Sequence, residues 1–109
     1  MKHTSYYTRA CIEAWLQCEN LLVNLQQAGI SFSKRTLQVI DECADVCLGT
    51  FQALQLSPVN TNKAALLCFG ICEECAEVCD KYEDDAFKNC AQACRRCSSA
   101  IARLAIAAV

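Results

Sequence analysis

Eleven cysteines in a chain of 109 residues recur at intervals of three and four, and that interval constrains the fold more than any other feature. Residues three or four apart share one face of an α-helix, whereas a half-buried strand would need strict alternation. Ala65, Cys68, Cys72, Cys75, Cys79 and Tyr82 make one such stripe, and Phe87, Cys90, Cys94, Cys97, Ile101 and Leu104 make another. Two further stripes run through Cys11, Trp15, Cys18, Leu22 and Leu25 and through Thr36, Ile40, Cys43, Cys47 and Leu54. Charged residues such as Glu73, Glu74, Glu77, Asp80, Lys88, Arg95 and Arg96 fall mostly off these stripes and read as a solvated face.

Local signals place the ends of four helices. The first is expected from about Tyr6 to Ala28, with Gly29 as the residue just past its end and Met1 and His3 in a frayed N-terminal tail. The second follows Ser31-Phe32-Ser33, where either serine can cap, and continues to about Leu56. The third begins between 58 and 61, behind Ser57-Pro58 or Asn60, and runs to Tyr82. Asp84 or Asp85 caps a fourth that reaches toward Ala107. Only 3 glycines and 1 proline leave little material for hairpins. Helices of similar length joined by short connections predict an all-α fold, an antiparallel up-down-up-down four-helix bundle with a Cys-lined core, formed by residues 1–109 as a single domain.

A formal net charge of -2, with no basic run longer than Arg95-Arg96, offers no footprint for nucleic acid or an anionic membrane. The first residues lack the apolar segment of a secretory signal, and no apolar stretch is long enough to span a bilayer, so a cytoplasmic location is expected. In a reducing compartment a high cysteine count points to metal or redox chemistry rather than a disulfide framework. Helix geometry agrees, because side chains three or four apart have Cβ atoms about 5–6 Å apart, wider than the about 3.5–4.5 Å of a disulfide.

Threading the helices alternately up and down at about 1.5 Å per residue predicts a layer of four thiols from Cys18, Cys43, Cys72 and Cys94. Cys47, Cys68 and Cys97 form a neighbouring layer with Cys11 beyond it, while Cys75, Cys79 and Cys90 lie on the other side. Phe51, Leu54, Ile101 and Leu104, with Trp15 at the inner edge, fill one end, so metal is expected to pass in at the other, beside residues 29–31 and 81–86. All eleven cysteines are therefore candidate metal ligands. A buried free cysteine is by default a small hydrophobe, but eleven on four matched stripes exceed what packing needs.

Charge selects the metal. Thiolates select Cu(I), zinc or Fe–S clusters, and one Cu(I) per thiolate leaves a buried core neutral, whereas Zn²⁺ held by four thiolates leaves two negative charges at each site. Multiple Cu(I) ions are expected, with roughly one per thiol, on the order of ten, as the charge-balance figure.

The sequence resembles the bacterial four-helix-bundle copper storage proteins, in particular their cytosolic branch. The segments that carry the likeness are Cys11-Ile12-Glu13-Ala14, Glu42-Cys43-Ala44-Asp45-Val46-Cys47, Cys72-Glu73-Glu74-Cys75-Ala76-Glu77-Val78-Cys79 and Cys90-Ala91-Gln92-Ala93-Cys94-Arg95-Arg96-Cys97. The resemblance implies storage of Cu(I) by thiolates projecting into the bundle, commonly in a homotetramer; for a copper store, a copper chaperone or efflux system is the expected exchange partner. This chain looks like a cysteine-depleted member, with Trp15, Leu22, Leu25, Thr36, Ala65, Phe87 and Ile101 at positions that could have held thiols. Members of that family tend to carry histidine near the mouth of the bundle, yet residues 81–86 contain none.

No enzyme is indicated: hydroxyls and carboxylates lack a partner histidine, and no phosphate-cradling glycine motif occurs. The alternatives from another class are an Fe–S or zinc-binding electron-transfer or redox protein that uses the same thiols. A structural interaction protein would tolerate replacing the thiols by Ala, Val and Leu.

Overall fold

The computed structural model describes residues 2–28, 32–56 and 61–107, with the side chains of 6–27, 32–56 and 61–107. Its elements are α1 (Lys2–Ala28), α2 (Lys34–Leu56), α3 (Asn62–Cys79) and α4 (Asp85–Ile106), and no strand occurs among the described residues. Each helix packs against two others, α1 on α2 and α4, α3 on α2 and α4, so the four close into a ring around one core. Sulfur contacts fix the directions. Cys11 and Cys18 of α1 meet Cys97 and Cys90 of α4, and Cys43 and Cys47 of α2 meet Cys72 and Cys68 of α3, so rising numbers on one helix pair with falling numbers on the next. This is the antiparallel bundle that the stripes predict. Its longest extent, 43 Å, is close to the about 40 Å of a 27-residue helix.

Caps explain the ends. Ser33 Oγ accepts from the Thr36 backbone N–H at 3.0 Å and so starts α2, while Asp84 accepts from Ala86 N–H at 2.8 Å and starts α4. The expectations for Gly29, Ser31, Ser57, Pro58 and Asn60, as for Met1 and the His3 side chain, lie outside the described residues. Two boundaries differ from the sequence reading. α1 begins at Lys2 rather than about Tyr6, so the backbone expected to fray is helical; no glycine or proline in residues 2–9 interrupts it. α3 stops at Cys79, three residues short of Tyr82. There the Lys81 and Tyr82 N–H groups turn back to Val78 and Cys79 carbonyls at 3.3 and 3.1 Å, the i to i−3 bonds of a tightened last turn.

Inside the ring, Ala14, Ala44, Ala65, Ala76 and Ala91 are buried beside the cysteines, and these small side chains let the helices approach closely. On α1 the buried positions among the described residues are Thr8, Cys11, Ala14, Cys18, Leu21 and Leu25. Trp15 and Leu22, which the sequence reading put on the stripe, are half-buried at its flank. The three- and four-residue steps allow either choice, and a core row already filled by thiols has room for Ala14 but not for an indole. Leu54 and Ile101 are buried at one end of the bundle with Phe51 and Leu104 half-buried around them, which is the apolar seal expected there. No helix of the described residues is long and apolar enough to cross a membrane.

Candidate metal centre

Every one of the eleven cysteines is free and 0% exposed. Their sulfurs form one column. Cys11 meets Cys97 at 3.9 Å, Cys97 meets Cys68 at 3.8 Å, and Cys68 meets Cys47 at 3.8 Å. Cys72 lies 3.5 Å from Cys47 and 4.0 Å from Cys43, and Cys43 lies 3.8 Å from Cys94. Cys18 is 3.6 Å from Cys90, which closes the sequence at the α3–α4 turn.

Three groups within the column have ligand atoms no more than 4.8 Å apart: Cys18, Cys43, Cys75 and Cys94; Cys47, Cys68, Cys72 and Cys97; and Cys75, Cys79 and Cys90. With metal–sulfur bonds near 2.3 Å, two thiolates sit about 3.8 Å apart in a tetrahedral site and about 4.6 Å apart on opposite sides of one ion. The buried groups can therefore hold several metal ions, and Cys75, shared by two groups, joins adjacent sites.

This arrangement corrects one layer. The sequence reading placed Cys72 level with Cys18, Cys43 and Cys94, but Cys75 takes that place and Cys72 completes the group of Cys47, Cys68 and Cys97. The reason is the lean of helical side chains toward the N-terminus of their own helix. Thiols on α3 lean toward the sealed end and those on α2 and α4 lean the other way, so the α3 residue that meets Cys43 and Cys94 is one step further along. Cys11 touches Cys97 but belongs to none of the three groups.

Among the described residues no Lys or Arg is buried, so a thiolate in the column finds its support there in neighbouring S–H groups. Cys43, accepting first from Cys18 and then from Cys47, Cys72 and Cys75, is held down to about 3. Cys79 is lowered to about 5 by Cys75 and Cys90, and Cys97 to about 6, chiefly by Cys11. Their partners are pushed the other way: Cys18, Cys47 and Cys72 are raised, each first by its bond to Cys43, and Cys75 first by Cys18, with burial adding to all four. The column thus pairs sulfurs whose protons are held with sulfurs whose protons are loosened, and no buried cation among the described residues balances a charge there.

The end nearest Cys79 and Cys90 carries residues whose role periodicity alone did not reveal. Phe87 is 0% exposed, and the Tyr82 ring stacks on it with centroids 4.1 Å apart. The Tyr82 hydroxyl bonds Thr36 Oγ1 at 2.9 Å, which in turn bonds Ser33 Oγ at 2.8 Å. Both aromatic rings belong to the predicted stripes, but the bond from Tyr82 to Thr36 spans 46 residues, a distance at which helical spacing carries no information.

Comparison with known proteins agrees with this geometry. A family model described as copper storage protein matches residues 1–106. The protein named "Uncharacterized cysteine-rich protein YhjQ", from Bacillus subtilis (strain 168), is 29% identical over 97 residues, covering 84% of this chain and 90% of that relative. No solved structure matches the chain significantly.

Proposed function

Because the chain belongs to the copper storage protein family, we propose that it holds copper as Cu(I), with all eleven cysteines serving as ligands along the column. The carrying observation is a continuous row of fully buried sulfurs, with no cationic side chain buried among the described residues. A monovalent soft cation matches it. Each Cu(I) that replaces a thiol proton leaves the core charge unchanged, whereas Zn²⁺ in a four-thiolate group leaves an uncompensated double negative charge in a dry interior. The spacing suits several ions that share sulfurs better than one isolated Fe–S centre, which would leave most thiols without a task.

In this reading the chain acts as a single domain in the cytoplasm, is a store rather than a catalyst, and exchanges copper with a chaperone or an efflux protein. The exposed apolar side chains Leu56, Leu67 and Ile106 favour packing against further copies, for which a homotetramer is the proposed form.

Anaerobic titration of the reduced protein with Cu(I) against a chromogenic competitor, with free thiols counted before and after, tests the proposal. Tight uptake of many equivalents with parallel loss of thiol reactivity is expected. Uptake of none or one, or preferential retention of zinc or iron under the same conditions, would overturn it.

A further inference from the structure

The thiol column is closed at both ends, and the two closures differ in kind. At one end Phe51, Leu54, Ile101 and Leu104 belong to the bodies of α2 and α4, so opening there requires unwinding a helix. At the other end the last residues of the four core rows are Leu25, Thr36, Phe87 and Tyr82. The first three are buried and lie within helices. Tyr82 lies in the turn between α3 and α4 and is half-buried.

Tyr82 is placed where access would be decided. It sits three residues beyond Cys79, and its stacking partner Phe87 three residues before Cys90, so the rings lie one helical turn outside the Cys75–Cys79–Cys90 group. The ring is held by the stack on Phe87 and by the hydroxyl bond to Thr36, which ties the α3–α4 turn to the start of α2. Besides these two contacts only its packing against the core holds the Tyr82 ring among the described residues, so loss of the Thr36 bond loosens the ring while every helix stays intact.

We propose that Tyr82 is the access-controlling residue of the thiol column, a lid latched by Thr36, and that the Cys75–Cys79–Cys90 group beneath it receives copper first. The proposal rests on the copper-storage reading. It concerns the rate at which cargo passes, not how much is held, because Tyr82 and Thr36 contribute no sulfur.

The test is a stopped-flow measurement, under anaerobic conditions, of Cu(I) transfer from its complex with a chromogenic chelator to the reduced full chain. Wild type, Tyr82→Phe, Thr36→Val and the double variant are compared, each with its capacity and thermal midpoint. Tyr82→Phe keeps the ring and removes only the hydroxyl. Both single variants should load about fivefold faster, the effect of one lost hydrogen bond, with capacity unchanged. The double variant should be no faster than either single one, because both break the same bond. Ser33→Ala, which leaves the Tyr82–Thr36 bond in place, controls for fraying at the start of α2 and should change the rate much less.

Equal rates in wild type, Tyr82→Phe and Thr36→Val, or accelerations that multiply in the double variant, would overturn the lid. If wild type itself takes up no more than one equivalent, the storage reading fails instead, and the two failures are told apart by the capacity measured in the same experiment.

Discussion

Cys72 and Cys11 are chemically identical and fully buried, yet they occupy unlike places in the column. Cys72 lies within 4.0 Å of Cys43, Cys47 and Cys68, at the junction of two groups, whereas Cys11 stands at the end of the column, against Cys68 and Cys97. Cys72→Ala should therefore lower Cu(I) capacity by more than one equivalent, and Cys11→Ala by one or less, as read from titration end points; equal losses would mean that the sulfurs bind independently. Cys72→Ala should also cost the metal-free fold about 1 kcal/mol, a modest cavity. At the surface, Asp80 is paired with Arg95, and the guanidinium holds its carboxyl below the ordinary value. A depressed carboxyl stabilises the fold above its unfolded pKa and loses that effect as pH falls through the folded one. Asp80→Asn should thus remove a small stabilisation at neutral pH, and its stability profile should converge with that of the wild type below about pH 4. All eleven candidate ligands were legible from spacing because burial in a bundle follows helical period. The exchange of Cys72 for Cys75 was not, since axial height per residue omits the lean of the side chain, which is opposite on antiparallel neighbours.

Elements were readable where a cap or a breaker marks them. Ser33 and Asp84 stand at the starts of α2 and α4, and each side chain accepts a backbone N–H there. Asp84→Ala should cost about 1 kcal/mol, a fall of about 4 °C in the thermal midpoint of the metal-free protein; no change would show that solvent serves the α4 start equally well. The end of α3 was misread because Tyr82 continues the stripe of Cys75 and Cys79, and apolar spacing cannot distinguish a last helical turn from a turn that folds back over the core. What stops the helix is tertiary: the Tyr82 ring is taken up by Phe87 and its hydroxyl by Thr36. Gly49 and Gly70 illustrate the reverse case, a local cost with no tertiary reason. Both lie inside helices on exposed faces, and a Cβ at either would meet nothing within 4 Å. Gly49→Ala and Gly70→Ala should each stabilise the monomer by roughly 0.5–1 kcal/mol, measured by chemical denaturation, with copper capacity unchanged. A loss of stability at either site would point to close approach of another copy at that face.

For the whole molecule, the metal-free fold pays for its cargo space with a core of thiols where longer apolar side chains would pack more area, and loading should return that stability. Any ligand that binds the folded chain alone stabilises it by mass action, about 2.7 kcal/mol for a site at a hundredfold excess over Kd, and several sites add. The loaded protein should therefore melt far above the metal-free one, and the shift should depend on pH. Cys18, Cys47, Cys72 and Cys75 are held up by their bonds to neighbouring sulfurs and by burial, so at neutral pH these four carry protons. Copper can bind them only by displacing those protons, which makes loading a proton-releasing reaction. The sign follows directly: lowering pH favours the thiol and weakens copper, and raising pH does the opposite, by about tenfold in affinity per pH unit for each proton displaced. Competition against a chelator whose own Cu(I) affinity is constant between pH 6 and 8 should move toward the protein as pH rises. In weakly buffered solution, copper addition should release protons that an indicator dye counts. Cys43, lowered by its bonds from Cys18, Cys47, Cys72 and Cys75, should give up its proton more readily than these four. Release of no protons, with affinity flat across that range, would mean that every sulfur of the column is ionised before copper arrives, and would overturn the assignment of protons to Cys18, Cys47, Cys72 and Cys75.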